Sequence, residues 1–369
     1  MTVSRTTNRR QTLRTGDDLA ERGLIREEDV ADAERAGDIL SIAISPEMVD
    51  RIDVARPDDP VARQFVPSAR ELHVLPEEEP DPIGDTLYMP IKGITHRYPD
   101  RLLLIANHHC AVYCRFCFRR EKVGPGEEFL APNELEAALD YIRAHPDLRE
   151  VILTGGDPLM LTPRRIRYIV EQLSALPNID VIRVHTRIPV VAPERLTPEM
   201  LEALETDKII CVVIHANHAS EFGDAAKAAI KQLRMRGMML LSHSVLLKGV
   251  NDTPEALADL FREFVRNGVK VYYLHHCDLA EGVSHFRTTF DEGQELMRAI
   301  RGHVSGLAQP TYALHIPGGF GKVPIGPTYL EEDGDSWVVT DYLGGRHRYP
   351  LERSQADGAA ARTGTNDGV

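Results

Sequence analysis

The sequence has no long apolar run. Its longest, Ile209–Ile214, has the length of a strand and is far shorter than the roughly 18 residues needed to span a bilayer. The N-terminus carries Arg5, Arg9, Arg10 and Arg14, and no apolar segment follows them, so no secretory signal is expected. These features predict a cytoplasmic protein that binds no membrane.

Basic residues are outnumbered by acidic ones. The 369 residues include 43 Lys and Arg against 56 Asp and Glu, which gives a formal charge of −13. Nucleic acids are held mainly by clustered Lys and Arg, so no nucleic-acid partner is expected. Hydrophobic residues make up 43% and charged residues 27% of the chain, which is typical of a folded globular protein.

Cysteines are few and unevenly spread. Of the five, Cys110, Cys114 and Cys117 fall within eight residues, whereas Cys211 and Cys277 stand alone. In a protein expected to be cytoplasmic, an odd number of cysteines argues against disulfides. The cluster of three therefore indicates a metal site or catalysis, and the two isolated residues are interpreted as buried thiols.

The spacing within the cluster is Cys-x-x-x-Cys-x-x-Cys, directly after the first predicted strand. Three thiolates on one short loop can bind three irons of a cubane cluster and leave the fourth iron open to a small molecule. Two other interpretations stay open from these residues alone. One is a zinc site completed by His108 or His109, and the other is a set of three unrelated buried thiols.

Alternating strand and helix patterns begin at Arg101. Between the strands lie helix starts such as Thr162-Pro163 and a predicted capping box, Asn133-x-x-Glu136. About six β-α repeats predict an α/β fold with a partial (β/α)6-type barrel, since a complete eightfold barrel needs about 250 residues. A doubly wound sheet is the alternative. The predicted strands are Leu102–Ala106, Val151–Thr154, Val181–Val184, Ile209–Ile214, Met239–Leu241 and Val269–Leu274.

The predicted organisation has five segments. A helical N-terminal extension (1–75) is followed by a Pro- and Glu-rich linker or wrapping segment (76–100) and by the barrel (101–305). A C-terminal segment (306–352) contains a hairpin around Gly344-Gly345, and a small, polar tail (353–369) is expected to be disordered.

Two glycine-rich motifs stand out. Gly155-Gly156-Asp157-Pro158 follows the second predicted strand, and Pro317-Gly318-Gly319-Phe320-Gly321-Lys322 follows a strand at 311–316. Taken alone, the first is a turn and the second a flexible loop. Lys322 is nevertheless one of only eight lysines, and a partly desolvated lysine amine can form a Schiff base.

The cysteine loop resembles that of the radical S-adenosylmethionine (SAM) superfamily. In that superfamily the same spacing binds a 4Fe-4S cluster, and SAM chelates the open iron. Phe116, just before the third cysteine, also matches the superfamily pattern. Gly155, Gly156 and Asp157 match its glycine-rich motif, which holds the amino group of the methionine part of SAM.

Longer motifs resemble the lysine 2,3-aminomutase family over about residues 59–329. The resemblance implies a partial (β/α)6-type radical SAM barrel and pyridoxal 5′-phosphate (PLP) as a further cofactor. It also implies a 2,3-aminomutase, with conversion of L-lysine to β-lysine as the first expectation. The matching stretches are Asp59–Ser68, Thr95–Arg101, Leu246–Asp252, Tyr273–Leu279, His285–Thr288 and Arg301–Gly306.

The same resemblance implies roles for individual residues. Lys322 is the expected carrier of PLP, and Arg97 and Tyr98 fall where the family contacts that cofactor. His215 is expected near SAM. Arg119 matches the arginine that pairs with the substrate carboxylate, a bidentate task suited to a guanidinium.

Substrate recognition departs from the pattern of lysine-specific members. Those members hold the distal ammonium with two aspartates. Asp278 matches the first, but His315 stands at the second position. The family's C-terminal zinc cysteines are also missing, since no cysteine follows Cys277.

Other functions therefore stay open. They are an aminomutase for another amino acid, an enzyme that isomerises the lysine destined for elongation factor P, and, more distantly, a non-catalytic iron-sulfur protein. The expected partners are an amino acid substrate, an electron donor such as flavodoxin or ferredoxin, and further copies of the chain in a homo-oligomer.

Overall fold

The computed structural model describes residues 11–124 and 129–350. The described chain divides into two compact units, of which the first ends at Ile325 and the second begins at Gly326. The segment 306–352 therefore contributes residues to both units, and the predicted segment boundaries stay a prediction. The predicted tail 353–369 lies outside the described residues.

The N-terminal part of the first unit contains short helices, as its composition predicts. Ser45 caps the third helix by accepting a hydrogen bond from the Met48 N–H, with Pro46 at the first helical position. These helices are α1 (Gly16–Glu21), α2 (Val30–Ile39), α3 (Pro46–Val49) and α4 (Ala62–Phe65).

The described residues of the first unit form a nine-stranded sheet in which strands adjacent in sequence are adjacent in space. The seven middle strands are parallel, and the first and last strands pair antiparallel at the two edges. The strands are β1 (Ile94–Tyr98), β2 (Arg101–Asn107), β3 (Glu150–Gly155), β4 (Val181–Thr186), β5 (Ile209–His215), β6 (Met239–Leu246), β7 (Lys270–His276), β8 (Thr311–His315) and β9 (Lys322–Pro324).

This strand order decides between the two predicted architectures. A doubly wound sheet reverses its order at a switch point, whereas here the order runs without reversal from β1 to β9. The fold is a curled half-barrel, as predicted, and all six predicted strands are present. β1 lies in the segment expected to be a linker, and the strand expected at 311–316 is present as β8, the seventh parallel strand.

Helices connect the parallel strands and cover the outside of the sheet. Thr162 caps one of them with its side chain, as its Thr-Pro motif predicts. Within the described ranges, no helix is both long and apolar enough to cross a membrane. The helices are α5 (Pro132–Arg143), α6 (Pro163–Ser174), α7 (Ile188–Val191), α8 (Pro198–Ala203), α9 (Asp224–Met235), α10 (Pro254–Arg266) and α11 (Phe290–Ile300).

The predicted capping box at Asn133 is wrong by two residues. Helix α5 begins at Pro132, and Ala131 is its N-cap. The Ala131 N–H donates to the Glu134 carboxylate at 2.7 Å. Pro132 decides this start because its fixed φ suits the first helical position, where a missing N–H costs nothing.

Each parallel strand has one face towards the helices and one face towards the inside of the barrel, and the inner face carries the site. Along β6, Leu240, Ser242, Ser244 and Leu246 are buried towards the helices. The alternate residues, such as His243, are only half-buried because they line an internal cavity. Side chains near the carboxyl ends of the parallel strands therefore converge inside the barrel.

The second unit is a small antiparallel sheet. Its strands are β10 (Leu330–Asp333), β11 (Ser336–Thr340) and β12 (Arg346–Pro350), in that order. The hairpin predicted around Gly344-Gly345 is confirmed, with Val339 opposite His347.

Candidate active site

One cavity of about 520 Å³ inside the first unit brings together all fourteen residues that the sequence analysis assigns to the site. They come from β1, from the loops after β2, β3 and β7, and from the inner ends of β5, β8 and β9. They are Arg97, Tyr98, Cys110, Cys114, Phe116, Cys117, Arg119, Gly155, Gly156, Asp157, His215, Asp278, His315 and Lys322.

The cysteine loop lies against the N-terminal helices. All three thiols are free and half-buried. Burial raises the pKa of each of them, that of Cys117 to about 11. Bound metal ions supply positive charge that favours the thiolate form of such thiols.

The number of thiols on the loop bears on the metal group that they fit. Across residues 11–124 and 129–350, no three His, Cys, Asp or Glu side chains come together as ligands of a single metal ion. A cubane takes each thiolate on a different iron, so three thiols on one loop fit a 4Fe-4S cluster.

A buried ion network fixes the loop between the cysteines. The Arg115 guanidinium donates to both carboxylate oxygens of Glu71, with the shortest contact at 2.7 Å, and Arg120 donates to the same carboxylate at 2.8 Å. Arg115 also donates to the Leu40 carbonyl at 2.7 Å, beyond the end of α2. The side chains of Glu71, Arg115 and Arg120 are at most 2% exposed.

Replacing Glu71 with glutamine is expected to loosen this loop. The variant leaves two buried guanidinium groups without a compensating charge, and breaking a buried pair in this way costs about 3–5 kcal/mol. We expect a lower urea midpoint of unfolding and less iron per chain after anaerobic reconstitution. Glu77→Gln is the matched control, because Glu77 pairs with Arg287 at the surface. Equal stability of Glu71→Gln and Glu77→Gln would contradict the role of Glu71 in fixing the cysteine loop.

The glycine turn after β3 touches the start of the cysteine loop. Gly155 has φ = +112°, a conformation that other residues rarely adopt, and a Cβ on Gly156 would lie 2.5 Å from the His109 backbone. Gly156 N–H donates to the Asn107 carbonyl at 2.8 Å, and Asn107 Nδ2 donates to the Asp157 carbonyl at 3.0 Å. Both glycines are required by this close approach.

The Asp157 carboxylate accepts hydrogen bonds from other groups of the protein. It accepts hydrogen bonds from Thr186 Oγ1 at 2.7 Å and from the Arg187 N–H at 2.7 Å, and a further one from the Leu159 N–H. Burial raises the pKa of Asp157, and these hydrogen bonds oppose that effect. The side chain thus ties the glycine turn to the end of β4, while the turn itself lines the cavity.

The hairpin formed by β8 and β9 places Lys322 in the cavity. β9 pairs antiparallel with β8, and Lys322 lies directly opposite His315. The Lys322 N–H donates to Tyr98 Oη at 3.3 Å, and its Nζ is 4.5 Å from the centre of the Tyr273 ring. Burial, then the nearby Arg183 and Arg101, lowers the pKa of Lys322 to about 8.

The surroundings of Lys322 fit an anionic aldehyde cofactor such as PLP. The amine is desolvated, and Arg97, Arg101 and Arg183 line the same cavity. Arg183 is fixed by a bidentate pair with Glu150 at 2.7 and 2.8 Å. Guanidinium groups held in this way are suited to a phosphate.

Asp85 is a site residue that the motifs did not reveal. It accepts from Arg119 Nη2 at 2.7 Å and Nε at 3.1 Å, and from Arg97 Nη2 at 3.3 Å. Arg97 also donates to the Ile83 carbonyl at 2.7 Å. The residues expected to contact PLP and the substrate carboxylate are therefore held together by one carboxylate.

Asp278 and His315 face the same cavity and contact each other. His315 Nδ1 and Asp278 Oδ1 are 3.1 Å apart, and the two side chains are 14% and 10% exposed. The His315 ring stacks on His275 with 4.8 Å between centroids and 12° between planes. This end of the cavity holds one carboxylate already paired with an imidazole.

A row of four imidazoles crosses the cavity, and of these only His215 was predicted from the sequence. Ring centroids are 4.7 Å apart for His215 and His243, 5.3 Å for His185 and His243, and 5.6 Å for His243 and His275. Burial lowers the pKa of these four histidines, that of His243 to about 3, so they are neutral near pH 7.

Comparison with known proteins agrees with this geometry. The profile described as Radical SAM superfamily matches residues 104–275, and the one described as Lysine-2,3-aminomutase matches residues 297–363. The L-lysine 2,3-aminomutase of Acetoanaerobium sticklandii is 38% identical over 83% of this chain and 74% of its own length. For the putative L-lysine 2,3-aminomutase of Aquifex aeolicus the identity is 40% over 81% of each. The glutamate 2,3-aminomutase of Clostridioides difficile is 35% identical over 80% of this chain and 70% of its own length.

Proposed function

Since this chain belongs to the lysine 2,3-aminomutase family of radical SAM enzymes, we propose that it converts L-lysine to β-lysine. It is an isomerase that uses a 4Fe-4S cluster, SAM and PLP. The observation that carries the proposed reaction is the single cavity that joins the cysteine loop to Lys322.

The cofactors supply the difficult chemistry. When bound, the cluster with SAM provides a primary carbon radical, and PLP provides a conjugated acceptor for the migrating nitrogen. In this proposal Cys110, Cys114 and Cys117 bind the cluster, and Phe116, Gly155, Gly156, Asp157 and His215 form the SAM side of the cavity.

The protein's own part is to hold and orient. The lowered pKa of Lys322 keeps a larger fraction of its Nζ unprotonated, which condensation with an aldehyde requires. Arg97 and Tyr98 hold PLP beside it, and Arg119, fixed by Asp85, binds the substrate carboxylate. The cavity walls shield the reacting carbon from water and stray hydrogen donors.

One observation favours a second candidate, an aminomutase for another α-amino acid. Asp278 is paired with His315, so the far end of the cavity offers at most one net negative charge to a distal ammonium. A cation is attracted less strongly to this pair than to two carboxylates. An uncharged side chain is therefore the alternative occupant.

The remaining parts of the proposal concern setting and partners. We place the enzyme in the cytoplasm, because its five free cysteines suit a reducing compartment. The electron donor is proposed to be a flavodoxin or ferredoxin. A homo-oligomer is proposed from family resemblance alone.

Substrate profiling tests the function directly. The enzyme is reconstituted anaerobically with iron, sulfide and PLP, reduced with dithionite, and supplied with SAM and one amino acid at a time. Lysine should give β-lysine, and glutamate and arginine are run in parallel. A β-isomer of another amino acid supports the second candidate. Formation of 5′-deoxyadenosine without any β-amino acid contradicts both candidates.

A further inference from the structure

Arg187 approaches the cysteine loop from the end of β4. Its Nη1 donates to Cys114 Sγ at 2.7 Å, and its Nη2 donates to Gln64 Oε1 and Glu221 Oε2, both at 2.6 Å. The guanidinium lies 4.6 Å from the centre of the Phe65 ring. The Arg187 side chain is 6% exposed, so it is a buried cation with one edge against a thiol.

The partners of Arg187 are themselves immobilised. Glu221 and Gln64 are fully buried, and Gln64 Nε2 donates to Glu221 Oε1 at 3.0 Å. The backbone N–H groups of Asn217 and His218 donate to the same oxygen at 2.7 and 2.9 Å. The guanidinium is therefore held in one orientation before any cofactor binds.

This orientation has an electrostatic consequence. Glu221 compensates the charge of Arg187 from the Nη2 side, whereas the Nη1–H points at the sulfur of Cys114. The potential of an iron-sulfur cluster depends on the hydrogen bonds to its sulfurs and on nearby charge. A donor fixed against a ligand sulfur favours the reduced state, because reduction adds one electron and one negative charge.

We propose that Arg187 is a positioning residue that raises the reduction potential of the cluster through its hydrogen bond to Cys114. The proposal rests on the assignment of Cys114 as a cluster ligand. Arg187 makes the cluster easier to reduce by one electron from a low-potential donor, dithionite in vitro or an electron-transfer protein in the cell.

The test is the midpoint potential of the cluster in the reconstituted full chain, measured by electron paramagnetic resonance during a dithionite titration. Arg187→Met removes the donor and the charge, and we expect about a tenfold lower equilibrium constant for reduction. For a one-electron couple this is a shift of about 59 mV to more negative potential. Arg187→Lys keeps the charge and is expected to recover part of the shift.

Two further variants keep the proposal open to refutation. Arg195→Met is the control, because Arg195 donates to the Leu159 and Met160 carbonyls and not to a thiol. The midpoint potential of the cluster in this variant should equal that of the wild type. If Arg187→Met fails to hold iron, Arg187→Gln takes its place, and the same negative shift is expected. An unchanged potential in the measured variant overturns the role of Arg187. If the reconstituted wild-type protein shows no cluster signal, the assignment of Cys114 as a cluster ligand is refuted instead.

Discussion

Alanine at any one of Cys110, Cys114 or Cys117 is expected to abolish the reductive cleavage of SAM to 5′-deoxyadenosine. The three thiols line one cavity from one loop. Because each is expected to bind a different iron, a neighbouring thiol cannot replace a missing one. Loss of one ligand should also lower the iron content of the reconstituted protein.

The matched control for these variants is Cys211→Ala. Cys211 is a buried thiol on β5 that lies outside the cavity lining, and burial raises its pKa to about 11. The control should keep its iron and its cleavage activity. Iron per chain, the absorption of the cluster and 5′-deoxyadenosine are measured on the same samples. Undiminished cleavage of SAM in a Cys114→Ala sample would contradict the assignment of the cluster to this loop.

The fold could be predicted well because its signals are local. Apolar runs such as Ile209–Ile214 are long enough for a strand and are bounded by helix starts. β1 was missed because Ile94–Tyr98 is half polar and has little apolar periodicity, and it is a strand because it pairs with β2. The capping box at Asn133 failed because two overlapping start signals competed, and Pro132 decided between them.

The candidate site could be located for a different reason. Motif spacing specifies which residues share a loop, and resemblance specifies which loops meet. His315 and Lys322 illustrate this, since seven positions of separation in the sequence become direct pairing across a hairpin. Their placement in one cavity is observed, whereas the roles of the individual residues stay predictions.

What could not be predicted are contacts between distant segments. Glu71, Asp85 and Glu221 are acidic residues in a chain with 56 of them, and nothing local distinguishes them. Each is important only because the fold brings an arginine of another segment against it. Burial of a paired charge is a property of tertiary structure, so the sequence pattern carries no signal for it.

The imidazole row is a different case, because a signal was present. Each of the strands β4 to β8 carries a histidine near its carboxyl end, such as His185 on β4 and His243 on β6. In parallel strands these ends meet at one edge of the sheet, so a repeated residue type there indicates a shared lining. The sequence analysis assigned a role to only two of these histidines, His215 and His315.

Lys322→Ala is expected to remove the PLP-dependent visible absorption while the iron-sulfur cluster is retained. Lys322 Nζ is the amine delivered into the cavity by the β8–β9 hairpin, and the cysteine loop is held by other contacts, above all by Glu71. Aminomutase activity should fall below detection. Lys231→Ala is the matched control, because Lys231 is exposed on α9 and should behave as the wild type.

The pH dependence of PLP attachment gives this prediction a second measurement. Only the neutral amine condenses with an aldehyde, and burial with the neighbouring arginines lowers the pKa of Lys322 to about 8. Mixing the PLP-free protein with PLP at a series of pH values should give an attachment rate that rises with a midpoint near pH 8 and then levels off. An ordinary lysine, with a pKa of about 10.4, would keep gaining rate well beyond that pH. A midpoint near 10, or an unchanged absorption band in Lys322→Ala, would assign PLP to a different lysine.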